Sequence, residues 1–369
     1  MARKVLAMSA AGLLLVLLPL AFWKEPMQGV EQRIYTPPAD ARTTQFPARE
    51  KQQRRLIIEA ATDVTFMHPF IAEFQKLHPD VAISYEDVLS TDLLARAQRA
   101  CGGSGSANIP DIYLTVATDH LVRLANDGCG QKAAVQSGVS PLREWRHEVF
   151  AFALEPAVFV YNRRLLSDRN APQSHLALAN AFRSDPKFWN TRIGTYDIRM
   201  SGIGFNYAEF DSRESSIYGR LIESLGRSNV QLYCCSNDMV RAVERGTIVL
   251  AYNVQLSYAY AAQRADPNVG IIIPSDFQAV QTRSVMIPAG TKNVDLARSF
   301  VNFLLSPRAA EIASALLTPL PIRSSVHFVP SDKLLNQADV SSALLRLQDH
   351  AYRTAFTHEW LQAIHADPK

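Results

Sequence analysis

The sequence predicts an α/β fold in which mostly parallel strands alternate with helices that cover the sheet. Short apolar runs that suit buried strands recur along the chain, beginning with residues 56–61 (LIIEAA). Amphipathic segments lie between them, and the first carries Phe70, Phe74 and Leu77 at helical spacing. Polar or proline-containing turns separate these segments, as expected where the chain reverses between a strand and a helix.

The first part of the chain repeats this strand–helix pattern. A polar turn at residues 62–65 follows the strand at 56–61, and Pro79 ends the next helix because proline cannot continue one. The further predicted elements are a strand at 81–85, a helix at 92–100 and, after a loop rich in glycine and serine, a strand at 111–116.

A second α/β unit begins with a predicted strand at residues 157–162 (AVFVYN). Beyond it the apolar spacing predicts helices at 176–182, 216–225 and 237–244, and strands at 192–195, 247–252 and 269–273. The pattern then returns to a strand near 284–288 and to apolar helices at 296–304 and 308–316. Residues 343–347 and 359–364 have helical patterns near the end of the chain.

The N-terminal residues 1–23 are predicted to be an export signal or a membrane anchor. Arg3 and Lys4 precede an apolar run from Val5 to Trp23, which is long enough for either role, and no clean small-residue cleavage site follows it. The rest of the chain is therefore expected in the periplasm, with membrane contact only through this segment. Residues 24–55 are polar and contain prolines, which predicts a linker.

The composition excludes several function classes. With 47% hydrophobic and 20% charged residues the chain suits a globular protein of two domains, and a monomer is expected. A net charge of +3 without a basic stripe argues against nucleic acid. No P-loop, dinucleotide fingerprint or Gly-x-Ser-x-Gly elbow occurs, so neither an enzyme nor a cofactor is predicted. The nine histidines show no metal-binding spacing, so no metal site is predicted.

Four cysteines in an oxidising compartment invite pairing. Cys101 and Cys129 flank the strand at residues 111–116, and a bridge between them would pin its two loops, although connectivity cannot be read from sequence. Cys234 and Cys235 are adjacent. Because a bridge between neighbouring residues is strained, they are predicted to be two buried thiols.

The segment Arg199-Met200-Ser201-Gly202-Ile203-Gly204 has the residue types of an anion-binding turn. Its glycines let the backbone approach a ligand closely, and free N–H groups at a helix start favour negative charge. Arg199 adds a planar cation that matches a phosphate or a carboxylate. The alternatives are an ordinary turn and an arginine paired with the nearby Asp197.

Eight segments occur in an order and spacing that resembles bacterial extracellular solute-binding proteins, the two-lobed receptors of ABC transporters. The resemblance is closest to the branch that includes ferric-iron and organophosphate binders. The segments are 70–74 (FIAEF), 77–79 (LHP), 109–112 (IPDI), 158–162 (VFVYN), 199–202 (RMSG), 246–253 (GTIVLAYN), 287–293 (IPAGTKN) and 297–306 (ARSFVNFLLS).

The resemblance implies a type II periplasmic-binding-protein fold that closes by a hinge around a ligand. Lobe 1 would comprise residues 56–154 and 284–369, including the C-terminal helices, and lobe 2 residues 155–283. Ligands of open α/β sheets meet the loops at the carboxyl ends of strands. The ligand-binding residues expected in these loops carry hydroxyl, amide or charged groups, or are glycine: Thr62, Asp63, Thr65, Thr115, Thr118, Arg199, Ser201, Gly202, Asn253 and Gln255.

The expected ligand is a small anionic solute, phosphorylated or carboxylated, that is passed to an ABC permease. Ferric-iron receptors of this branch carry adjacent tyrosines where this chain has Val254 and Gln255, which supply no phenolate for a hard cation. Tyr258 and Tyr260 follow at a different spacing. A ferric-iron receptor and a ligand-sensing partner of a membrane histidine kinase stay open as alternatives.

Overall fold

The computed structural model of the protein describes residues 42–103, 109–135, 144–317 and 339–364. Asp63 begins the first helix, because its side chain accepts the N–H of Thr65 and so caps the helix end. The elements up to residue 126 are β1 (Arg42–Phe46), β2 (Arg54–Ala61), α1 (Val64–Leu77), β3 (Val81–Asp87), α2 (Ser90–Cys101), β4 (Ile112–Thr115) and α3 (Thr118–Asn126).

The middle of the chain forms a second group of strands and helices. They are β5 (Glu144–Trp145), β6 (Val149–Asn162), α4 (His175–Ser184), α5 (Pro186–Trp189), β7 (Ile193–Tyr196), α6 (Gly202–Glu214), α7 (Tyr218–Arg227), β8 (Gln231–Tyr233), α8 (Ser236–Glu244), β9 (Leu250–Gln255), α9 (Leu256–Ala265) and β10 (Val269–Ile272).

The last group begins with β11, the strand that returns to the first part of the sheet. Its elements are β11 (Val280–Met286), α10 (Val294–Leu304), α11 (Pro307–Leu316), a 3-10 helix (Ser342–Gln348) and α12 (His350–Ala363). Each predicted strand and helix has a counterpart, although residues 343–347 form a 3-10 helix. The predictions missed the helices α3, α5, α6 and α9 and the strands β1, β5 and β8. Helix α6 is buried from Gly202 to Glu209, so it lacks the polar stripe by which a surface helix is recognised.

The strands form a sheet in the order β1-β3-β2-β4-β11-β6-β9-β7-β8, with β5 and β10 also paired to β6. We call β1 to β4 with β11 the first half and β7 to β10 the second half, and β6 joins them. β2 and β4 run in the same direction as β6, whereas β9 and β7 run against it. The carboxyl ends of both sets of strands therefore point towards the middle of β6. We call this region the cleft.

Each half of the sheet has a hydrophobic cluster on both faces, which gives the molecule two α/β lobes. In the first half, one cluster contains Phe70 and Phe300 from α1 and α10, and the other contains Leu121 from α3. In the second half, one cluster contains Leu225 from α7, and the other contains buried side chains from both α8 and α9.

Two parts of the chain differ from the expected domain division. Residues 42–46, expected in the linker, form β1 and pair antiparallel with β3. Helix α12, expected with lobe 1, packs Trp360 and Leu361 into the cluster of α4 to α7. Neither segment has a sequence pattern that indicates which strand or which lobe it contacts. The positions of both segments depend on strand pairing and helix packing with residues that are distant in sequence.

The structure pairs all four cysteines. Cys101 and Cys129 form a disulfide with 5.4 Å between their Cα atoms, which joins the end of α2 to the loop after α3. Cys234 and Cys235 also form a disulfide, so the prediction of two thiols was wrong. That prediction relied on the strain of a bridge between adjacent residues, whereas Cys234 lies in a bend between β8 and α8.

The predicted export signal or anchor lies outside the described residues. Within the described ranges, none of the helices has the length and apolar character that crossing a membrane requires.

Candidate functional site

An ion pair between Arg283 of β11 and Glu155 of β6 lies at the centre of the cleft. Both side chains are fully buried, and Glu155 Oε2 accepts hydrogen bonds from Arg283 Nη2 at 2.6 Å and Nε at 2.9 Å. Arg283 also donates to Thr62 Oγ1 at the end of β2 and to Ser257 Oγ in α9, and its guanidinium lies 3.7 Å from the ring centre of Phe66. A single cation thus contacts both halves of the sheet.

The charge of Arg283 is stabilised by its counter-ion. Burial lowers the pKa of Arg283, but the charge and hydrogen bonds of Glu155 together with the nearby Tyr258 and Tyr85 outweigh that effect, and the pKa lies above its ordinary value. Glu155 is itself held by the amino end of α9, where it accepts the backbone N–H of Ser257 at 2.9 Å and the Ser257 hydroxyl at 2.8 Å. A helix amino end favours a negative charge in this position.

The amino ends of three helices meet beside this ion pair. Asp63, which caps α1, accepts a hydrogen bond from Asn237 Nδ2 in the first turn of α8 at 3.0 Å. The backbone N–H of Asp63 donates to the hydroxyl of Tyr258 in the first turn of α9 at 3.0 Å. Cys235, which precedes α8, makes no side-chain capping bond. Protein carboxylates therefore accept N–H groups at the amino ends of α1 and α9, whereas the N-cap residue of α8, a helix with Asp238 in its first turn, makes no such bond.

Gln255 places an amide next to the uncapped end of α8. Its backbone N–H donates to Ser236 Oγ at 3.1 Å, and Ser236 Oγ donates to Gln255 Oε1 at 3.4 Å. The side chain is 94% buried, and Gln255 Nε2 has no hydrogen-bond partner among the described residues. An unsatisfied buried donor is costly, so it marks a place where an acceptor is expected.

The predicted anion-binding turn lies at a second contact between the halves. Ser201 caps α6 by accepting the N–H of Gly204, and Arg199 bonds Asp197 through Nη2 at 2.7 Å and Nε at 2.9 Å. The N–H of Gly202 donates to Ser90 Oγ at 2.9 Å.

The need for glycine at position 202 has a structural cause. A Cβ atom there would lie 2.7 Å from His120 Cε1 and 2.9 Å from Ala117 Cβ. Close packing of α6 against the start of α3 therefore explains this glycine without a ligand. The turn was predicted to offer its groups to an anion, and in the structure they contact the protein itself.

The other predicted residues are divided between the cleft and the interior. Thr118 bonds Thr282 and Ser284 of β11, and Thr115 Oγ1 accepts the N–H of Ala117, so both hold the start of α3. Thr65 is exposed in the first turn of α1, where it bonds Asp63. Thus, of the predicted residues, the structure brings Thr62, Asp63 and Gln255 together around the ion pair.

Asn253 turns away from the cleft and bonds a buried carboxylate in lobe 2. Its Nδ2 donates to Asp211 Oδ2 at 2.6 Å, and the hydroxyl of Tyr252 donates to the same oxygen. Burial raises the pKa of Asp211 from its ordinary value near 4 to about 6, against the opposing effects of His175 and of these two hydrogen bonds. Asp276 is a further charged group that acts on it.

The raised pKa predicts how stability varies with pH. Because the native state disfavours ionised Asp211, its contribution to the free energy of unfolding is greatest below pH 4 and is lost as the pH rises through 6. A rise in pKa from about 4 to about 6 corresponds to about 3 kcal/mol. Asp211→Asn should remove this loss, which urea unfolding from pH 4 to 7.5 would measure. Equal pH profiles for the variant and the wild type would contradict it.

Sequence reasoning missed most of the residues around the ion pair: Glu155, Arg283, Ser236, Asn237, Ser257 and Tyr258. Glu155 and Arg283 lie just before the predicted strands at 157–162 and 284–288, in residues to which no element was assigned. A charged residue inside a strand of otherwise apolar residues is the signal that could have identified them, because an unpaired charge is rarely buried. The sequence offers no means of pairing them, since they lie 128 positions apart.

Comparison with known proteins agrees with this architecture. The sequence profile of bacterial extracellular solute-binding proteins matches residues 58–315. No curated protein matches the sequence. The substrate-binding protein of an ABC transporter from Agrobacterium tumefaciens is 27% identical, with a TM-score of 0.80 over 89% of this chain and 99% of that protein.

Two further solved structures share the fold at lower identity. AfuA from Actinobacillus pleuropneumoniae, with fructose-6-phosphate bound, is 15% identical, with a TM-score of 0.66 over 86% of this chain and 100% of its own. Iron-bound HitA from Pseudomonas aeruginosa is 18% identical, with a TM-score of 0.59 over 85% of this chain and 99% of its own.

Proposed function

Because the chain belongs to the bacterial extracellular solute-binding protein family, we propose that it captures a small anionic solute, phosphorylated or carboxylated, in its cleft. Members of this family are substrate-binding proteins of the ABC-transporter type and not enzymes. The family implies a periplasmic location and an ABC permease as the partner that receives the solute. The protein therefore acts by selective capture without chemical conversion.

The observation that carries the anionic class is the unpartnered Nε2 of Gln255 beside the uncapped amino end of α8. A phosphate or carboxylate oxygen there would accept from the amide and from the first N–H groups of the helix. Both the hydrogen bonds and the helix dipole favour a negative charge at such an end. AfuA, whose structure contains fructose-6-phosphate, is a relative in fold that is consistent with this class.

Closure of the two lobes would complete the site. We propose that the hinge runs through β6 and β11 near Glu155 and Arg283, with residues 56–154 and 284–317 in lobe 1 and 155–283 in lobe 2. Contacts between the lobes include Thr91 Oγ1 to the carbonyl of Met200 at 3.1 Å and Asp63 to Asn237. The solute would bind one lobe first, and closure would add the donors of the other.

Ferric iron is the weaker candidate, although HitA contains it. A hard cation of this kind needs anionic oxygen ligands such as phenolates. Burial raises the pKa of both Tyr196 and Tyr258 well above the ordinary value, which favours the neutral phenols. Gln255, with a free donor, also presents the wrong polarity to a cation.

A thermal-shift screen of ligand-stripped protein tests the solute class. Its panel contains sugar phosphates, phosphoglycerates, di- and tricarboxylates, polyamines and ferric citrate. A ligand present at ~100 times its Kd adds about 2.7 kcal/mol to the free energy of unfolding, which shifts the melting temperature measurably. Stabilisation by phosphorylated or carboxylated compounds is expected, and stabilisation by polyamines alone would refute the anionic class.

Gln255→Glu should weaken binding of the anion identified by that screen by about 100-fold. The variant keeps the side chain's shape but replaces the amide donor with a negative charge, so it loses a charge-assisted hydrogen bond and adds repulsion. Isothermal titration calorimetry would measure the change.

Gln362→Glu is the matched control, because it introduces the same charge on the exposed face of α12 and should leave affinity unchanged. Unchanged or tighter anion binding by Gln255→Glu would contradict the proposed site. Tighter binding of ferric citrate by the same variant would favour the iron receptor.

A further inference from the structure

The strand that leads to Gln255 contains a β-bulge. Val158 and Val160 of β6 pair with Val254 and Ala251 of β9, so two residues of β9 stand opposite the single residue Phe159. These two residues are Tyr252 and Asn253, so β9 has one residue more than β6 at this point. Because side chains alternate between the faces of a strand, one inserted residue exchanges the faces of all residues that follow it.

Asn253 supplies the backbone conformation that the bulge requires. Its φ angle is +61°, in the left-handed region that residues other than glycine rarely adopt. Asparagine tolerates this region better than most residues, and here its amide is also tied to Asp211 at 2.6 Å. Asp211 lies on α6, so the bulge is held from the helix that covers it.

The burial of Asp211, which holds Asn253 in place, is costly in free energy. Its carboxylate is 99% buried, one oxygen accepts from both Tyr252 and Asn253, and Oδ1 has no hydrogen-bond partner within the described part of the chain. A carboxylate in this environment lowers stability at neutral pH. Buried charged groups are usually paired with an opposite charge. A residue that departs from this rule and does not add to stability is expected to serve function.

We propose that Asp211 and Asn253 are positioning residues that hold the bulge of β9 and thereby aim the amide of Gln255 into the cleft. Gln255 lies two residues after Asn253, and its backbone N–H reaches Ser236 at the start of α8. Without the bulge, the alternation of β9 would turn Gln255 to the opposite face. The role of Gln255 in binding rests on the proposed function, whereas the position of its side chain does not.

Asn253→Gly and Asn253→Ala form a matched pair of variants for the test. Both remove the hydrogen bond to Asp211, but glycine adopts a positive φ freely and alanine does not. In the ligand-free protein, hydrogen–deuterium exchange at residues 255–260 should rise about fivefold to tenfold in Asn253→Ala. It should stay within about twofold of the wild type in Asn253→Gly.

The double variant Asp211→Ala/Asn253→Gly tests the link between the two residues. Asp211→Ala alone should increase exchange at residues 255–260, and glycine at 253 should restore protection, because it needs no anchor. Crystal structures should show the Gln255 amide displaced in Asn253→Ala and retained in Asn253→Gly.

Equal effects of glycine and alanine at 253, failure of glycine to rescue Asp211→Ala, or an unmoved Gln255 in Asn253→Ala would each overturn the proposal. These measurements use no ligand. They therefore stand even if the anion screen fails, and a negative screen with the expected exchange pattern would reject the proposed solute class alone.

Discussion

Replacing Arg283 with methionine is expected to lower the free energy of unfolding by about 3–5 kcal/mol, the usual cost of removing one partner of a buried ion pair. The variant leaves the fully buried carboxylate of Glu155 with the N–H and hydroxyl of Ser257 as its remaining partners among the described residues. It also removes the bond from Arg283 to Ser257 in α9, which joins the first half of the sheet to the second. Urea unfolding at neutral pH would measure the loss.

Two control variants distinguish the cost of leaving a buried charge unpaired from the cost of lost packing. Arg283→Met/Glu155→Gln removes both charges, and it should recover most of the stability because glutamine still accepts the N–H of Ser257. Arg123→Met breaks an exposed ion pair with Asp127, which should cost less than about 1 kcal/mol. If Arg283→Met costs no more than this surface change, the ion pair is hydrated in solution and its burial between β6 and β11 is wrong.

Removal of the Cys101–Cys129 disulfide by serine substitution at both positions is expected to cost about 3–4 kcal/mol. The bridge spans 28 positions of the chain, and in the unfolded state it restricts that loop. It also fixes α2 to the loop after α3, beside the strand that ends at Thr115. Equilibrium unfolding of the oxidised wild type and the variant would give the difference.

The second disulfide provides the matched control. Cys234 and Cys235 are separated by one position, so their bridge closes almost no chain and restricts the unfolded state little. Replacing both with serine should therefore change stability by less than about 1 kcal/mol. A larger loss at this pair than at Cys101 and Cys129 would show that loop entropy does not govern the stability of this protein.

The sequence predicted the strands and helices well because their apolar spacing is local. It also predicted Thr62, Asp63 and Gln255 near the cleft, because polar residues that follow a strand lie at the edge of the sheet where ligands meet it. It missed Arg283 and Glu155. These two residues form an ion pair because β11 and β6 are neighbours in the sheet. The spacing of residues within a sequence cannot predict such a pairing of distant strands.

For the predicted anion-binding turn, the sequence pointed to ligand contacts that the structure does not support. Ser201 and Gly202 have the residue types of a ligand loop. Only the structure shows that Ser90 and His120 of the other lobe occupy the space and the N–H group that a ligand would need. Residue types fix what a loop can bind, but the facing surface decides which partner reaches it.

The sequence by itself determined the α/β class, because alternating apolar segments reflect the preferences of neighbouring residues, and the resemblance of eight short segments indicated the family. The tertiary structure decided which charges are buried together, which lobe receives the C-terminal helix α12, and where the side chain of Gln255 points. The bulge at Asn253 illustrates the reason. A one-residue shift in strand pairing reverses the faces of the strand, and the contact of Asn253 with Asp211, which is distant in sequence, stabilises the bulged pairing.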